Sequence, residues 1–550
     1  MWLLSHGRLL ALFSSRLRLW LALLAEYPKM RSAYESHRDA GFFDFGAPPR
    51  SFAQLSEHPA AARLLEMRRA GFGSTLEFEA DGDALPTYLP VTHATAAALG
   101  AASLAAADLH ELRNPGRAQA VRVRQSGAAL AAASHVHCRV APTAGWNGCR
   151  GLDAALVAAR DAPPQRRLYP CADGGAVFVD CAAPPLQTPR LLEFLGCECR
   201  ADAIGRAVGA YPSADALEGA LQGAGLCAAK ARAPREWRES AHGQSVAALP
   251  PVGLAPVAAR IPIVRRRRAA PTLAARAARP LSDVVVVELS DDAIASPVAA
   301  RTLADHGATV VKVVGPRRPR ASEAIDAEAN QGKRVLQVDL STEEGRQRLW
   351  NLLKVADVVV DGGDDAAAGG GELGRHGFAP KRVLHRNPHL VYLRASCFGH
   401  VGPLARGAGS ERAASFCCGV AGAADEGLVG ARLLSPLAYT TGFLGAFGVL
   451  LALADRQVAA VEGKPFAGVL VLASLAQTAT WLGAFGARCP SRLEYALRLG
   501  RLLWGGDRRA VDVGDLRYLP LTNAVEMPHT PARRHAYERW WPDDEILLPA

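Results

Sequence analysis

The chain has 550 residues, 49% hydrophobic and 21% charged, which excludes wholesale disorder and is longer than one hydrophobic core accommodates. Its net charge of +10 is spread along the sequence apart from a run at residues 265–268, and aromatics make up only 6%. A nucleic-acid binder, which concentrates cations and interleaves stacking rings, is therefore not expected.

The eleven cysteines are scattered. Cys197/Cys199 and Cys417/Cys418 lack the spacing and the companion histidines of a zinc site, so no metal is expected. Reduced structural thiols in an intracellular protein, cytoplasmic or mitochondrial, fit this usage.

Residues 1–30 open with MWLLSHGRLLALFSSRLRLWLALLA, which carries Arg8, Arg16 and Arg18 and no acid before Glu26. Drawn as a helix, the stretch has an apolar face broken by Arg and Ser, the composition of a targeting segment or of an ordinary N-terminal helix. Charge interrupts it too often for a membrane span, and no transmembrane segment is expected.

Residues 31–149 contain a long Ala/Leu helix opened by Thr92-His93-Ala94-Thr95 and a basic turn at Arg113-Asn114-Pro115-Gly116-Arg117. A strand at 120–124 and an Ala-rich helix follow. The same order of events returns roughly 350 residues later: Ala438-Tyr439-Thr440-Thr441 opens a helix, Asp455-Arg456 and Gly463-Lys464 make the turn, and a strand at 468–472 leads into a helix from Ser474. An internal duplication is the reading of that recurrence.

Residues 150–260 read as a small α+β domain, with a hairpin turning at Asp173-Gly174 and helices carrying Leu191, Leu192, Phe194 and Leu195, then Leu217, Leu221 and Leu226. Prolines and arginines from Pro250 to Pro280 mark a linker, basic over 261–279.

From 280 to 482 the texture is that of an α/β domain. The segment RPLSDVVVVELSDDAIASPVAARTLADHGATVVKVVGPRRPR, residues 279–320, reads as a buried strand, a small-residue turn, a helix stopped at Gly307 and a second buried strand. It lacks the spaced glycines of a dinucleotide loop. Asn330-Gln331-Gly332-Lys333-Arg334, strands at 335–340, 356–361 and 390–395, and a helix from Ser341 with Glu343 and Glu344 in its first turn follow. Residues 483–550 form a C-terminal tail.

Taken in series, these pieces resemble the family III CoA-transferases, the group that includes carnitine CoA-transferase, formyl-CoA transferase and α-methylacyl-CoA racemase. The residues that carry the resemblance are Gly307–Val313, Asn330 with Lys333, Asp339-Leu340, Ala356-Asp357-Val358-Val359, Asn387-Pro388-His389-Leu390-Val391-Tyr392 and Ser396-Cys397-Phe398-Gly399-His400-Val401-Gly402-Pro403. The resemblance implies a Rossmann-like CoA-transferase domain with a smaller α+β domain. That smaller domain ordinarily follows the Rossmann-like one and here precedes it, which implies two fused copies that have each lost a part.

The same resemblance implies coenzyme A as part of an acyl-CoA substrate, a carboxylic acid as its partner, and a homodimer. It places Ala295, Ser296, Arg317, Lys333 and Leu340 around CoA, whose phosphates require cations and backbone N–H groups. The family's Asn-Phe pair after the 356–361 strand is replaced by Gly362-Gly363.

The family's nucleophilic aspartate falls on Ala438, and on Thr92 in the repeat. The racemase histidine falls on Ser410, so the racemase activity is disfavoured. Glu411, next to it, is the remaining candidate acid, with His93, His400 and Tyr439 as groups open to recruitment. The expectations are therefore transfer of CoA between carboxylic acids with the aspartate missing, or an inactive homologue serving as a CoA-binding or regulatory protein.

Overall fold

The computed structural model describes residues 17–39, 48–49, 51–137, 139–140, 149–150, 163–182, 187–256, 279–290, 294–316, 325, 328–362, 371–405, 407–422, 435–486 and 488–504, with short strands at 511–513, 516–518, 525–526 and 538–540. The arginine run at 265–268, Arg317 and Gly363 lie outside the described residues.

In the N-terminal half, β1 (Thr75–Glu79) and β2 (Ala120–Arg124) pair in parallel, joined through the long helix α1 (Val91–Arg113). β3 (Arg166–Pro170) and β4 (Ala176–Asp180) form an antiparallel hairpin around Asp173-Gly174. Gly174 adopts φ +80, a conformation that glycine reaches without strain, and the Gly175 N–H donates to Asp173 Oδ1 at 3.0 Å. β5 (Ala228–Lys230) completes a three-stranded antiparallel sheet. Two helices bury Ile204, Val208, Leu217 and Leu221 against it.

β6 (Gly253–Pro256) falls in the stretch read as linker. It pairs antiparallel with the last strand of the main sheet, a tertiary pairing that no local pattern announces.

The main sheet is built from β7 (Val285–Leu289), β8 (Thr309–Val314), β9 (Lys333–Gln337), β10 (Val358–Asp361), β11 (Val391–Ser396) and β12 (Val469–Ser474). With β6 at one edge and β13 (Glu538–Trp540) at the other, the order is β13–β9–β8–β7–β10–β11–β12–β6. Every neighbouring pair is parallel except β12 with β6. The order reverses between β7 and β10, so successive connections diverge at the carboxyl ends of the strands, the place where open parallel sheets bind ligands.

Both faces of this sheet are covered, which is why its strands are continuously apolar rather than alternating. Val286, Val310, Val358 and Leu393 face the core under α2 (Ala295–Asp305) and α6 (Ala438–Val461). Val287, Val311, Val359 and Tyr392 face Leu349, Leu352 and Leu353 of α3 (Glu343–Val355). α2 ends where expected, with Gly307 at φ +104 just past it.

Helix α6 lies at the centre of the larger core. A Cβ on Gly442 would stand 2.7 Å from the Ala295 carbonyl oxygen, one on Gly445 3.0 Å from Leu393, and one on Gly448 2.6 Å from Val471. Those glycines let α6 lie directly on α2 and the sheet, while α1 packs along it elsewhere, with Thr95 and Thr440 sharing a 2.8 Å hydroxyl contact. Among the described residues α6 alone is long and apolar enough to cross a membrane, yet 67% of its apolar window is buried inside the protein.

Packing here overrides helix propensity. Gly442→Ala is expected to lower the melting temperature, because overpacking costs about 1–3 kcal/mol and exceeds the propensity gain. Gly219→Ala, in the helix Ala214–Gly223 with nothing within 4 Å of the added methyl, is expected to raise stability by about 1 kcal/mol. Thermal melts of the two variants check the contrast.

Candidate functional site

The carboxyl edge of the main sheet brings together two helix N-termini. α2 begins immediately after the switch point, and Ala295 and Ser296 are both buried there. The Ser296 hydroxyl donates to the Asp361 carbonyl at 3.3 Å, and Asp361 Oδ2 accepts from the Tyr392 hydroxyl at 3.0 Å. A Cβ on Gly362 would approach Ser296 Oγ to 2.4 Å. The backbone therefore closes on Ser296 at the position where the resemblance implies an asparagine, and a side chain there would meet Ser296.

Beneath this edge lies a charged network inside the core. Glu288, fully buried on β7, receives Lys333 Nζ at 2.6 Å, Lys312 Nζ at 3.2 Å and the Ser290 hydroxyl at 2.6 Å. Burial by itself would raise the Glu288 carboxyl; the two ammonium groups outweigh it and hold it at about 2. Burial pulls the Lys333 ammonium down to about 7 against the attraction of Glu288.

Lys333 also donates to the Pro297 carbonyl at 2.8 Å, tying β9 to the first turn of α2. Leu340 is partly buried against the α3 core, past the end of β9 at Gln337. An Asx turn at Asp339 follows the strand, and Thr342 caps α3 by accepting from the Gly345 N–H at 3.0 Å.

The second terminus is that of α6. Ser410 caps α5 (Glu411–Cys417), its hydroxyl accepting from the Ala413 N–H at 3.2 Å. This start delivers the Glu411 side chain to the first turn of α6, where Oε1 accepts the Leu437 N–H at 2.9 Å and the carboxyl also bonds the Ala438 N–H. Oε2 is shielded from solvent and accepts no hydrogen bond among the described residues. Burial pushes the Glu411 carboxyl up to about 7, only partly offset by the two backbone donors and by Arg412.

Ala438, where the nucleophilic aspartate was expected, is a buried methyl beside that carboxyl. The acid standing before this helix thus comes from a different element.

The small sheet roofs this corner. Phe178 of β4 stacks on Phe416 at 4.7 Å, and the Arg232 N–H donates to the Phe416 carbonyl at 3.1 Å. Gln222 donates to the Ala408 carbonyl at 2.9 Å. His242 accepts from the Leu404 N–H at 3.1 Å and contacts the Phe398 carbonyl at 2.7 Å through its other ring nitrogen. The segment leading from β11 to Glu411 is thus held at Phe398, Leu404 and Ala408 by His242 and Gln222, which precede it in the chain.

The recruitable groups are dispersed. His400 contacts Ser396 Oγ at 3.3 Å, and burial lowers its pKa to about 4. Tyr439 donates to Glu328 Oε2 at 3.2 Å and contacts His135 Nδ1 at 3.2 Å; Glu328 also takes the Ser134 hydroxyl at 2.5 Å and an ion pair from Arg301. Glu328 and His135 were not anticipated, because each gains its role only from partners distant in sequence.

At the start of α1, Thr92 donates to Asp83 Oδ1 at 2.6 Å and Arg498 bridges to Asp83 Oδ2 at 3.2 Å. Asp83 was also missed. His93 beside it is lowered to about 4, chiefly by burial. Both helices therefore receive a carboxylate from outside. The one at α1 is paired with an arginine, whereas the one at α6 keeps an oxygen without a partner among the described residues.

Residues 281–487 match the family model of CoA-transferase family III. An acetyl-coenzyme A transferase of Hypoxylon pulicicidum is 32% identical over 186 residues, covering 32% of this chain and 30% of that protein. A probable fatty acyl-CoA transferase of Mycobacterium tuberculosis is 32% identical over 140 residues, covering 23% and 34%. Human alpha-methylacyl-CoA racemase is 33% identical over 181 residues, covering 32% and 44%. The chain thus spans between 30% and 44% of the length of these curated relatives. A solved CaiB/BaiF family protein from Brucella suis shares 26% identity over 37% of this chain and 55% of that one, with a TM-score of 0.30.

The raised Glu411 carboxyl makes stability depend on pH in a defined sense. The unfolded glutamate ionises near 4.5 and the folded one near 7, so the unfolded state releases its proton first and stability falls as pH rises between them. Glu411→Gln keeps an acceptor for the Leu437 N–H and removes this penalty. The variant is expected to match the parent at pH 4 and to exceed it at pH 8 by up to roughly 3 kcal/mol, read from melts across that range.

Proposed function

We propose, from the premise that residues 281–487 belong to CoA-transferase family III, that the chain transfers CoA between carboxylic acids with Glu411 in place of the missing aspartate. The observation that carries this reading is the Glu411 carboxyl bonded to the N–H groups of Leu437 and Ala438, at the helix terminus where the resemblance puts the nucleophile. In the proposed first step a Glu411 oxygen attacks the acyl-CoA thioester carbonyl. A C–O bond forms, the C–S bond breaks, and CoA leaves as thiolate, giving a mixed anhydride. The thiolate then attacks the Glu411 carbonyl and expels the first carboxylate, and the acceptor carboxylate takes CoA from the resulting Glu411 thioester by the same two steps in reverse. The positive end of α6 favours the ionised nucleophile, while burial keeps its pKa near neutrality.

In this reading the carboxyl edge at the β7/β10 switch point is a Rossmann-like CoA site, with Ala295 and Ser296 at the start of α2 and Leu340 past the end of β9. Arg317, which the resemblance also assigns to CoA, lies outside the described residues. Lys333 contributes by holding the Pro297 carbonyl and so the α2 N-terminus, since its ammonium is engaged in the core. The contact of α1 with α6 is an internal substitute for the homodimer that the resemblance implies, as expected of a duplicated chain. We place the activity inside the cell, in the cytoplasm or in mitochondria.

A second reading, a CoA-binding homologue without turnover, is supported by Ala438 and by Ser410 at the racemase histidine position. Exchange of CoA between a panel of acyl-CoAs and free carboxylic acids separates the two. Turnover is expected to rise with pH through about 7, the value to which Glu411 is pushed, and to fall by roughly a thousandfold or more in Glu411→Gln. Calorimetric binding of CoA with no exchange across the panel would establish the second reading. Absence of CoA binding would overturn both.

A further inference from the structure

Six large hydrophobic side chains are exposed among the described residues, and four of them fall on one helix pair. The helix over residues 17–24 and α8 (Arg492–Trp504) run side by side: Trp20 Nε1 donates to the Ala496 carbonyl at 3.0 Å and the Tyr27 hydroxyl to the Pro490 carbonyl at 3.1 Å. One partner number rises as the other falls, so the pair is antiparallel. Its inner faces meet through Leu23, Tyr495 and Leu499. Its outer faces carry Leu17 (42% exposed), Leu21 (53%), Leu493 (70%) and Leu497 (55%).

Each pair of leucines is spaced i, i+4, so each forms a stripe along its helix. Scattered exposed leucines are ordinary; a concentration on one helix pair is not.

Charge selects the occupant. Arg18 and Arg492 are exposed at the borders of the stripes, and residues 17–25 contain no acid. The acid of α8, Glu494, is bridged to Arg488 at 2.7 Å. A second copy seated on this face would set Arg18 and Arg492 against their own kind. Residues 1–16 carry Arg8 and Arg16 and no acid, and so match the face in sign rather than complement it. An apolar stripe bordered by arginine is complementary to an anionic bilayer, whose acyl boundary takes the leucines while its head groups take the guanidinium groups.

We propose that this helix pair docks the protein on the surface of an anionic membrane, with Leu17, Leu21, Leu493 and Leu497 entering the interface. The proposal is independent of the acyl-CoA reading.

The test is flotation of the full chain with phosphatidylcholine vesicles and with vesicles containing about 30% phosphatidylserine. The protein is expected to float with the anionic vesicles, to release as salt is raised, and to remain behind with phosphatidylcholine alone. Arg18→Glu with Arg492→Glu is expected to weaken the partition about tenfold or more. Leu493→Ser with Leu497→Ser is expected to weaken it comparably while leaving the melting temperature unchanged, because both positions are exposed. Leu249→Ser, at an exposed leucine elsewhere, is expected to bind as the parent does. Equal recovery with both vesicle types, unchanged flotation of the leucine variant, or a self-association that the same substitutions abolish would each overturn the proposal.

Discussion

The close seating of α6 on α2 and on the main sheet is the constraint from which the rest follows. It depends on glycine at 442, 445 and 448, where added methyl groups would meet the Ala295 carbonyl, Leu393 and Val471 at 2.6–3.0 Å. With that contact made, α1 packs along α6 and joins the two halves of the chain into one core. The same contact fixes the height of the first turn of α6 against the first turn of α2. Two helix dipoles then present their positive ends at the edge of the sheet where the strand order reverses.

Electrostatics beneath that edge are arranged to hold it rigid. Glu288 satisfies both Lys312 and Lys333, and Lys333 passes the restraint on to the Pro297 carbonyl. A buried triad of this kind gives little net stability over an apolar core, but breaking one partner leaves an uncompensated charge at a typical cost of about 3–5 kcal/mol. Its consequence is positional: the N-terminus of α2 stays in one place. Glu411 is the opposite case, a buried carboxyl with one oxygen bonded and, among the described residues, one not. Burial raises its carboxyl to about 7, so its charge changes near neutral pH.

Much of the main sheet was legible because each strand is buried on both faces and therefore spells an uninterrupted β-branched run; Val285–Leu289 and Thr309–Val314 are the clearest. The turn at Asp173-Gly174 and the stop at Gly307 were legible because a left-handed residue there requires glycine. β6 was not, since a short Pro-containing segment becomes a strand only when β12 offers it an edge. Glu411 could be singled out from the sequence because it neighbours Ser410, where the resemblance places the racemase histidine. Asp83, Glu328 and His135 acquire meaning through Thr92, Arg301 and Tyr439, and tertiary partners leave no periodic trace in a sequence.

The proposed function rests on Glu411 of α5 acting where the resemblance implies an aspartate at Ala438. It is tested most directly by incubating the protein with acyl-CoA and hydroxylamine and locating the resulting hydroxamate by peptide mass spectrometry. The account predicts a hydroxamate on Glu411, dependent on acyl-CoA and absent from Glu411→Gln. A hydroxamate on any other carboxylate, Asp83 included, would contradict it.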